Sequence, residues 1–331
     1  MKILVTGGTG FIGAHLSNFC LNKENTVHIC DNNIRGTKDE FVDNMIHRGA
    51  KFIKCDLTKK QDLDKLDDDY DVIFHFAAIN GTENFYNIPY MVMTVGISST
   101  MNLLEKYGGK DVKFIFSSSS ETYASTFKFR SDLVPTPETI ELCIGDIFNP
   151  RFSYGGSKIT CELLISNYAN QYGLDFQIIR YNNVYGPRMG FKHVIPQFIK
   201  RAYYKENPFV IYGSSQTRAF CYVEDAARVT YDLAMSKSTG IFHIGNDSEE
   251  MEIIRLAEKI VKIFDYSPKF KIEEPPKGSV QRRCPDVSLI REITNFNPQY
   301  GITRGLEETV RWYSNFYSNN LKSAVSESKL L

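Results

Sequence analysis

The sequence predicts an α/β protein, a doubly wound parallel sheet with a smaller mixed α/β lobe behind it. Three observations carry that prediction. Short apolar runs alternate with helical patterns, a glycine-rich turn joins the first run to the first helix, and the alternation loosens after Arg180. The runs at 3–6, 26–31, 52–55, 72–76, 113–117 and 176–180 are apolar with little polar alternation, the pattern of strands covered on both faces. Residues 11–21, 90–107 and 154–172 repeat at helical spacing between them. Strand–helix alternation of this kind winds right-handed onto a parallel sheet. Past Arg180, turn signals gather at Gly186-Pro187, Asn207-Pro208 and Gly213-Ser214-Ser215. Helices are expected near 223–236 and 251–264, a break at Pro275-Pro276, and a last helix over 306–317 before a frayed tail.

Composition narrows the class. The 331 residues fit two domains or one large one, on a prior of about 150 residues per domain. Hydrophobic residues at 42% and charged residues at 24% are ordinary for a globular chain and argue against disorder. Lys plus Arg and Asp plus Glu each total 39, so no global field draws nucleic acid or an anionic membrane. No apolar run reaches the ~18–20 residues that cross a bilayer. The opening residues break at Gly7-Gly8 without the cleavage region of a signal peptide. Seven cysteines without paired spacing fit a reduced, cytoplasmic protein, and no metal site is expected.

Gly7-Gly8-Thr9-Gly10-Phe11-Ile12-Gly13 follows a strand and opens a helix. Gly7 permits the tight turn, Gly10 lets backbone approach a pyrophosphate, and Gly13 lets helix and strand pack closely. The N–H groups of Phe11 and Ile12, at the positive end of the helix, then face phosphates. In that context the pattern points to a bound dinucleotide. Asp31 closes the second strand 24 positions after Gly7, with Asn32 beside it. A carboxylate there accepts both ribose hydroxyls and repels a 2′-phosphate, which favours NAD over NADP, although Arg35 is near enough to keep the phosphate form open. Asp56-Leu57 is placed either to border the adenine or to cap a helix. Ala77-Ala78 is small enough for backbone to pass the cofactor, and His75 reads as a structural histidine. These readings put the cofactor domain at 1–180, with part of 220–245 open to return to it. They put a substrate lobe at 181–320 and the frayed tail at 321–331.

Tyr154-Gly155-Gly156-Ser157-Lys158 sets a phenol and an ammonium four apart on one helix face. A free tyrosine titrates near ~10, so it needs a neighbouring cation to act as a base at neutral pH. Together these motifs resemble the extended short-chain dehydrogenase/reductase family, and within it the nucleotide-sugar epimerases and dehydratases. The resemblance covers nearly the whole chain. It continues through Phe116-Ser117-Ser118-Ser119, the stretch from Arg180 to Arg188, Arg218-Ala219-Phe220-Cys221-Tyr222-Val223-Glu224-Asp225 and Arg283-Cys284-Pro285-Asp286. It implies a Rossmann-like fold, tightly bound and recycled NAD, a nucleotide-diphosphate sugar as substrate, and a homodimer formed through helices at 94–107 and 154–172.

Residue by residue, the resemblance implies that Ser119 hydrogen-bonds the reacting sugar hydroxyl and Tyr154 removes its proton. It implies that Lys158 holds the nicotinamide ribose and keeps Tyr154 ionised. Asn183, Arg188, Arg218 and Arg283 match positions that hold the substrate, the arginines by their fit to phosphate. The implied activity is oxidation at carbon 4 to a transient ketone, followed by epimerisation or dehydration. Glu121 matches the dehydratase base for carbon 5, a role that burial serves if it raises the carboxyl towards neutrality. Ser120 departs from the aspartic acid that many dehydratases carry as proton donor. Ser120-Glu121 and the stretch from Gly213 to Phe220 are similar to UDP-glucuronate decarboxylases, the alternative activity. Gly96 stands where the family has an asparagine linked to the lysine, and 141–149 is expected to reshape the sugar pocket. Two more distant alternatives are a non-catalytic NAD-sensing protein and an NADP-linked carbonyl reductase.

Overall fold

The computed structural model describes residues 1–276 and 278–328. Its central sheet holds seven parallel strands: β1 (Lys2–Thr6), β2 (Thr26–Asp31), β3 (Lys51–Lys54), β4 (Val72–His75), β5 (Lys113–Ser119), β6 (Asp175–Tyr181) and, later in the chain, β11 (Gly240–Ile244). They lie in the order β11-β6-β5-β4-β1-β2-β3. The order reverses between β1 and β4, and a doubly wound sheet binds ligands in the crevice at the carboxyl ends of such strands.

Apolar residues on both sides of each strand explain why the sheet is covered on both faces. In β1, Ile3 and Val5 face a core shared with α1 (Phe11–Asn22), α2 (Glu40–His47) and α7 (Val223–Ala234). Leu4 between them faces the opposite core, against α4 (Pro89–Tyr107) and α5 (Phe152–Tyr172). The short α3 (Thr82–Asn87) adds Phe85 to a small cluster with Val92 and Tyr154.

The lobe behind the sheet has a third core, built from Ile195, Phe198, Phe209, Ile211, Leu256 and Tyr313. These come from α6 (Val194–Tyr203), β8 (Phe209–Tyr212), α8 (Ile253–Ile263) and α10 (Ile302–Ser328). Three small sheets complete it: β7 (Val184–Tyr185) with β10 (Cys221–Tyr222), β8 with β13 (Phe270–Glu273), and β9 (Thr217–Ala219) between β12 (Glu250–Glu252) and β14 (Arg282–Arg283). The remaining helix, α9 (Ser288–Thr294), packs beside α7.

Three elements differ from the sequence expectation. The strand β11 has no counterpart among the expected strands, because its five residues carry a buried histidine and are too few to show a period. β5 extends past its expected end through Ser118 and Ser119, which have no apolar signal but pair in register with Arg180 and Tyr181. The last helix starts at Ile302 and continues to Ser328, since no Gly or Pro follows Gly305 to stop it. Residues 329–331 of the expected tail lie outside the described residues.

One buried ion pair ties the layers. Arg180, 2% exposed on β6, donates from Nε and Nη2 to the two oxygens of Glu162 on α5, at 3.0 and 2.7 Å. Ser118 Oγ on β5 donates to the same carboxylate, and Arg180 Nη1 donates to the Glu138 carbonyl at 2.9 Å.

Burial also holds several histidines neutral. It pushes His15 down to about 4, and His75 and His243 down to about 3. An unfolded histidine titrates near 6.5, so in acid the unfolded chain binds more protons than the folded one. Their stabilising contribution is therefore complete above about pH 6.5 and is lost as pH falls towards the folded values. The thermal midpoint is expected to drop steadily between pH 7 and pH 4.5. A midpoint flat across that range would show these rings already protonated in the fold.

Candidate active site

The glycine turn stands at the carboxyl end of β1, beside the switch in strand order. Gly7 has φ +65°, and a Cβ there would lie 2.8 Å from the Ala77 backbone nitrogen, so only glycine fits. A Cβ on Gly10 would meet only the Gly7 carbonyl, at 3.0 Å, which leaves the outer side of the turn open. The first turn of α1 has neither an acidic residue nor a side-chain cap. Its bonding begins with Ala14 N donating to Gly10 O, so the N–H groups of Phe11 and Ile12 point out of the helix end. Asp31 accepts from Thr9 N at 3.2 Å and from Asn33 N at 2.9 Å, which brings its carboxylate against the same turn. Asn32 caps Ile34 N at 3.0 Å. An open phosphate cradle with a carboxylate beside it fits a dinucleotide lacking a 2′-phosphate.

A cleft of about 620 Å³ continues from this cradle between sheet and lobe. Ser119, Tyr154 and Glu121 line it from the sheet side, and Asn183, Arg218 and Arg283 from the lobe side. Tyr154 and Lys158 occupy the first turns of α5. The Tyr154 ring stacks on Phe85, centroids 5.0 Å apart. Lys158 Nζ donates to the Ser117 carbonyl at 2.5 Å and lies 4.4 Å from the Phe116 ring centroid. Burial pushes the Tyr154 phenol well up, and the nearby Glu121 charge adds to this, against the opposing effects of Arg35 and the Ser119 hydroxyl. Burial lowers Lys158 to about 8. Among the chain's own residues desolvation outweighs the neighbouring charges at both groups, and the Lys158 ammonium is held by a carbonyl and a ring face.

At the far end of the cleft the charge is mainly positive. Arg218 on β9 and Arg283 on β14 are register partners. Arg283 Nη1 donates to Glu121 Oε1 at 2.8 Å, and Arg151 Nη2 lies 3.5 Å from Glu121 Oε2. Burial alone would raise Glu121, but Arg283 and Arg151 outweigh it and hold the carboxyl below its usual range. That corrects the expectation of a carboxyl raised towards neutrality. Burial and the Arg283 charge bring Arg218 down to about 9. The Nε atoms of Arg151 and Arg283 are buried and have no partner among the described residues. Asn183 adopts φ +41° and donates to the Ala219 carbonyl at 3.1 Å.

Other expected positions lie outside the residues that line the cleft. Arg188 is absent from the cleft and lies against Thr9 and Asp39. Asp56 closes a turn by accepting from Thr58 N and Oγ1, at 3.1 and 2.7 Å, and Leu57 is buried in the core. His75 bonds Thr6 Oγ1 at 2.8 Å and Thr100 Oγ1 at 3.1 Å. At Gly96 the carbonyl accepts from Thr100 Oγ1 at 2.8 Å, and an added Cβ would meet Ser157 Oγ at an ordinary 3.6 Å.

Sequence reasoning did not single out Arg151, Phe85, His193 or the pair Lys192–Glu83. Arg151 had a local signal, three residues before Tyr154. Phe85 and Glu83 come from α3, and Lys192 and His193 from the loop before α6, joined only by the fold. Lys192 and Glu83 pair at 3.1 Å at the cleft mouth, both well exposed. In 141–149, Ile147 and Phe148 are exposed while a Cβ on Gly156 would lie 3.8 Å from Ile144.

Comparison with known proteins gives the family. Residues 3–245 match the model of the NAD dependent epimerase/dehydratase family. The UDP-N-acetyl-alpha-D-glucosaminuronate decarboxylase of Bacillus cytotoxicus is 31% identical, with 94% of this chain and 97% of that protein covered. The UDP-N-acetylglucosamine 4-epimerase of Methanobrevibacter ruminantium, solved with UDP-N-acetylmuramic acid, superposes with TM-score 0.84 at 30% identity, covering 94% of this chain and 97% of that one. The UDP-glucuronic acid 4-epimerase of Bacillus cereus, solved with NAD, superposes with TM-score 0.82 at 27% identity, covering 96% and 100%. Fold and cleft define an NAD-dependent enzyme of nucleotide sugars. The chain belongs to the NAD dependent epimerase/dehydratase family.

Arg35 is the cation that most opposes the rise of the phenol. It follows β2, and its Nη2 would lie 3.7 Å from a Cβ on Gly81. Arg35→Met is expected to move the acid limb of the rate profile to higher pH. An unmoved limb would show that Arg35 turns away from Tyr154 during turnover.

Proposed function

We propose that the enzyme oxidises carbon 4 of a nucleoside-diphosphate uronic acid and then releases its carboxylate as carbon dioxide. The observation that carries this reading is the guanidinium pair Arg151 and Arg283 around Glu121, each with a buried, unpartnered Nε. A neutral hexose gives such a pair nothing to neutralise, whereas the carboxylate of a uronic acid does. The decarboxylase relative supports the same choice, and the acid 4-epimerase supports the substrate class. Glu121, held ionised and weakly basic between two arginines, is poorly suited to take a carbon 5 proton. With Ser120 in place of a proton donor, that ranks dehydration last.

NAD bound on the glycine turn supplies the hydride acceptor for carbon 4. The chain's residues do the rest. Tyr154 takes the hydroxyl proton while Ser119 bonds the same oxygen, and Lys158 fixes the ring geometry from the next helical turn. Asn183 and Arg218 hold the diphosphate. A carboxylate on carbon 6 is β to the new ketone, so its bond to carbon 5 breaks with the electron pair passing to the ketone as an enolate. Carbon 5 then takes a proton, and a hydride returned to carbon 4 together with the proton held by Tyr154 restores the hydroxyl. Epimerisation of the same acid is the second reading, favoured by the solved neighbours, and needs rotation of the ketone in the cleft before that return.

The enzyme is also inferred to be a cytoplasmic homodimer. Its seven cysteines are free, and among the described residues no helix is long and apolar enough to cross a membrane. Exposed Tyr90, Met93 and Met101 on α4 and Leu163 on α5 give two adjoining helices an apolar outer face. Leu163→Glu is expected to halve the mass seen by light scattering; an unchanged mass places the contact elsewhere.

Incubation with UDP-glucuronate, UDP-N-acetylglucosaminuronate and UDP-glucose, followed by product mass, tests the reaction. Loss of carbon dioxide from an acid is expected; an unchanged mass with inverted carbon 4 selects the epimerase reading, and loss of water overturns both. Tyr154→Phe is expected to lower kcat roughly 10²–10⁴-fold while NAD remains bound. Arg151→Ala is expected to weaken the acidic sugars by about 2–5 kcal/mol and leave UDP-glucose unaffected. Equal losses for both sugars would remove the carboxylate assignment.

A further inference from the structure

Arg188 makes a set of contacts that the chemistry of the cleft does not use. Its Nη2 donates to the Thr9 carbonyl at 2.8 Å, inside the glycine turn, and to the Thr37 carbonyl at 3.3 Å. Its Nη1 pairs with the Asp39 carboxylate. The guanidinium lies 5.3 Å from the Phe41 ring centroid, and the side chain is only 6% exposed. One residue earlier, the Pro187 carbonyl bonds His15 Nε2 on α1 at 3.1 Å. Asp39 is itself the cap of α2, accepting from Val42 N at 3.2 Å.

The parts joined in this way surround the cofactor cradle. Thr9 belongs to the turn that faces the phosphates, and its N–H is already tied to Asp31. Residues 32–39 pass close over that carboxylate, since a Cβ on Gly36 would lie 2.8 Å from Asp31 Oδ2. Arg188 reaches both from the segment that continues β7 of the substrate lobe. The guanidinium fork gives its two terminal nitrogens to separate partners, Nη2 to the two carbonyls and Nη1 to the carboxylate. Arg188 also has φ +69°, a conformation unfavourable for a side chain of its size and held there by these bonds.

We propose that Arg188 is a latch for NAD: from the substrate lobe it pins the glycine turn and the loop 32–39 together over the bound dinucleotide and so slows its release. This rests on the cofactor site described above. Release then requires two hydrogen bonds and an ion pair to break together, although none of them touches the reacting atoms. Arg188 is accordingly a positioning residue for the cofactor, in place of the substrate contact expected from sequence.

The test measures exchange of bound NAD for labelled NAD in wild type, Arg188→Gln and Asp39→Asn, with UDP affinity measured by calorimetry on each. Asparagine still caps α2, so Asp39→Asn removes only the charge that holds Arg188 and serves if Arg188→Gln does not fold. Exchange at least ten-fold faster in either folded variant, with UDP affinity within two-fold of wild type, is expected. Exchange rates equal to wild type in the folded variants overturn the latch alone. A loss of UDP affinity as large as the gain in NAD exchange returns Arg188 to the substrate site and also overturns it. Wild-type protein that takes up no NAD overturns both the latch and the cofactor site beneath it.

Discussion

The Arg180–Glu162 pair is the constraint on which the arrangement of the cleft depends. Glu162 lies two helical turns beyond Tyr154 and one beyond Lys158, so the three share one face of α5. Clamping Glu162 to Arg180 on β6 and Ser118 on β5 sets the rotation and height of that face against the sheet. Lys158 then meets the Ser117 carbonyl and Tyr154 reaches the level of Ser119. Two charges withdrawn from water are costly, and loss of one partner alone commonly costs about 3–5 kcal/mol. A well-packed apolar pair would hold helix and sheet at least as firmly. What the ion pair adds is direction, because a bidentate fork fits in one orientation.

The electrostatics of the cleft follow from burial acting oppositely on two kinds of group. Desolvation resists the phenolate of Tyr154 and the ammonium of Lys158 alike, so each is driven towards its neutral form. The chain as a whole has no net charge. Arg218 and Arg283 nonetheless line one cleft beside Glu121, and Arg151 pairs with the second oxygen of that carboxylate.

The features legible in the sequence are those whose cause is local. The glycine turn, Asp31 at a strand end and the four-residue spacing of Tyr154 and Lys158 are short-range patterns, and the fold places each where its pattern requires. Alternating apolar runs showed six strands of the sheet. The seventh, β11, was hidden because five residues with a buried histidine are too few to show a period. Charge states were hidden because their causes lie far apart in the chain. Glu121 looked like a carboxyl awaiting burial, and nothing local announces that residue 283 supplies its partner. Arg188 shares a motif with Asn183, yet the backbone turns between them and sends the arginine to the other side of the cradle. Sequence shows which chemistry a residue carries; three-dimensional closure decides what it faces.

The Lys192–Glu83 pair at the cleft mouth has a different character from every contact within. It joins two flexible, hydrated side chains, and such bridges are worth roughly 0–1 kcal/mol and weaken as salt rises. Traffic through that opening therefore faces almost no barrier from it. Ionic strength acts on this outer bridge first, and on the buried charges inside the cleft much less.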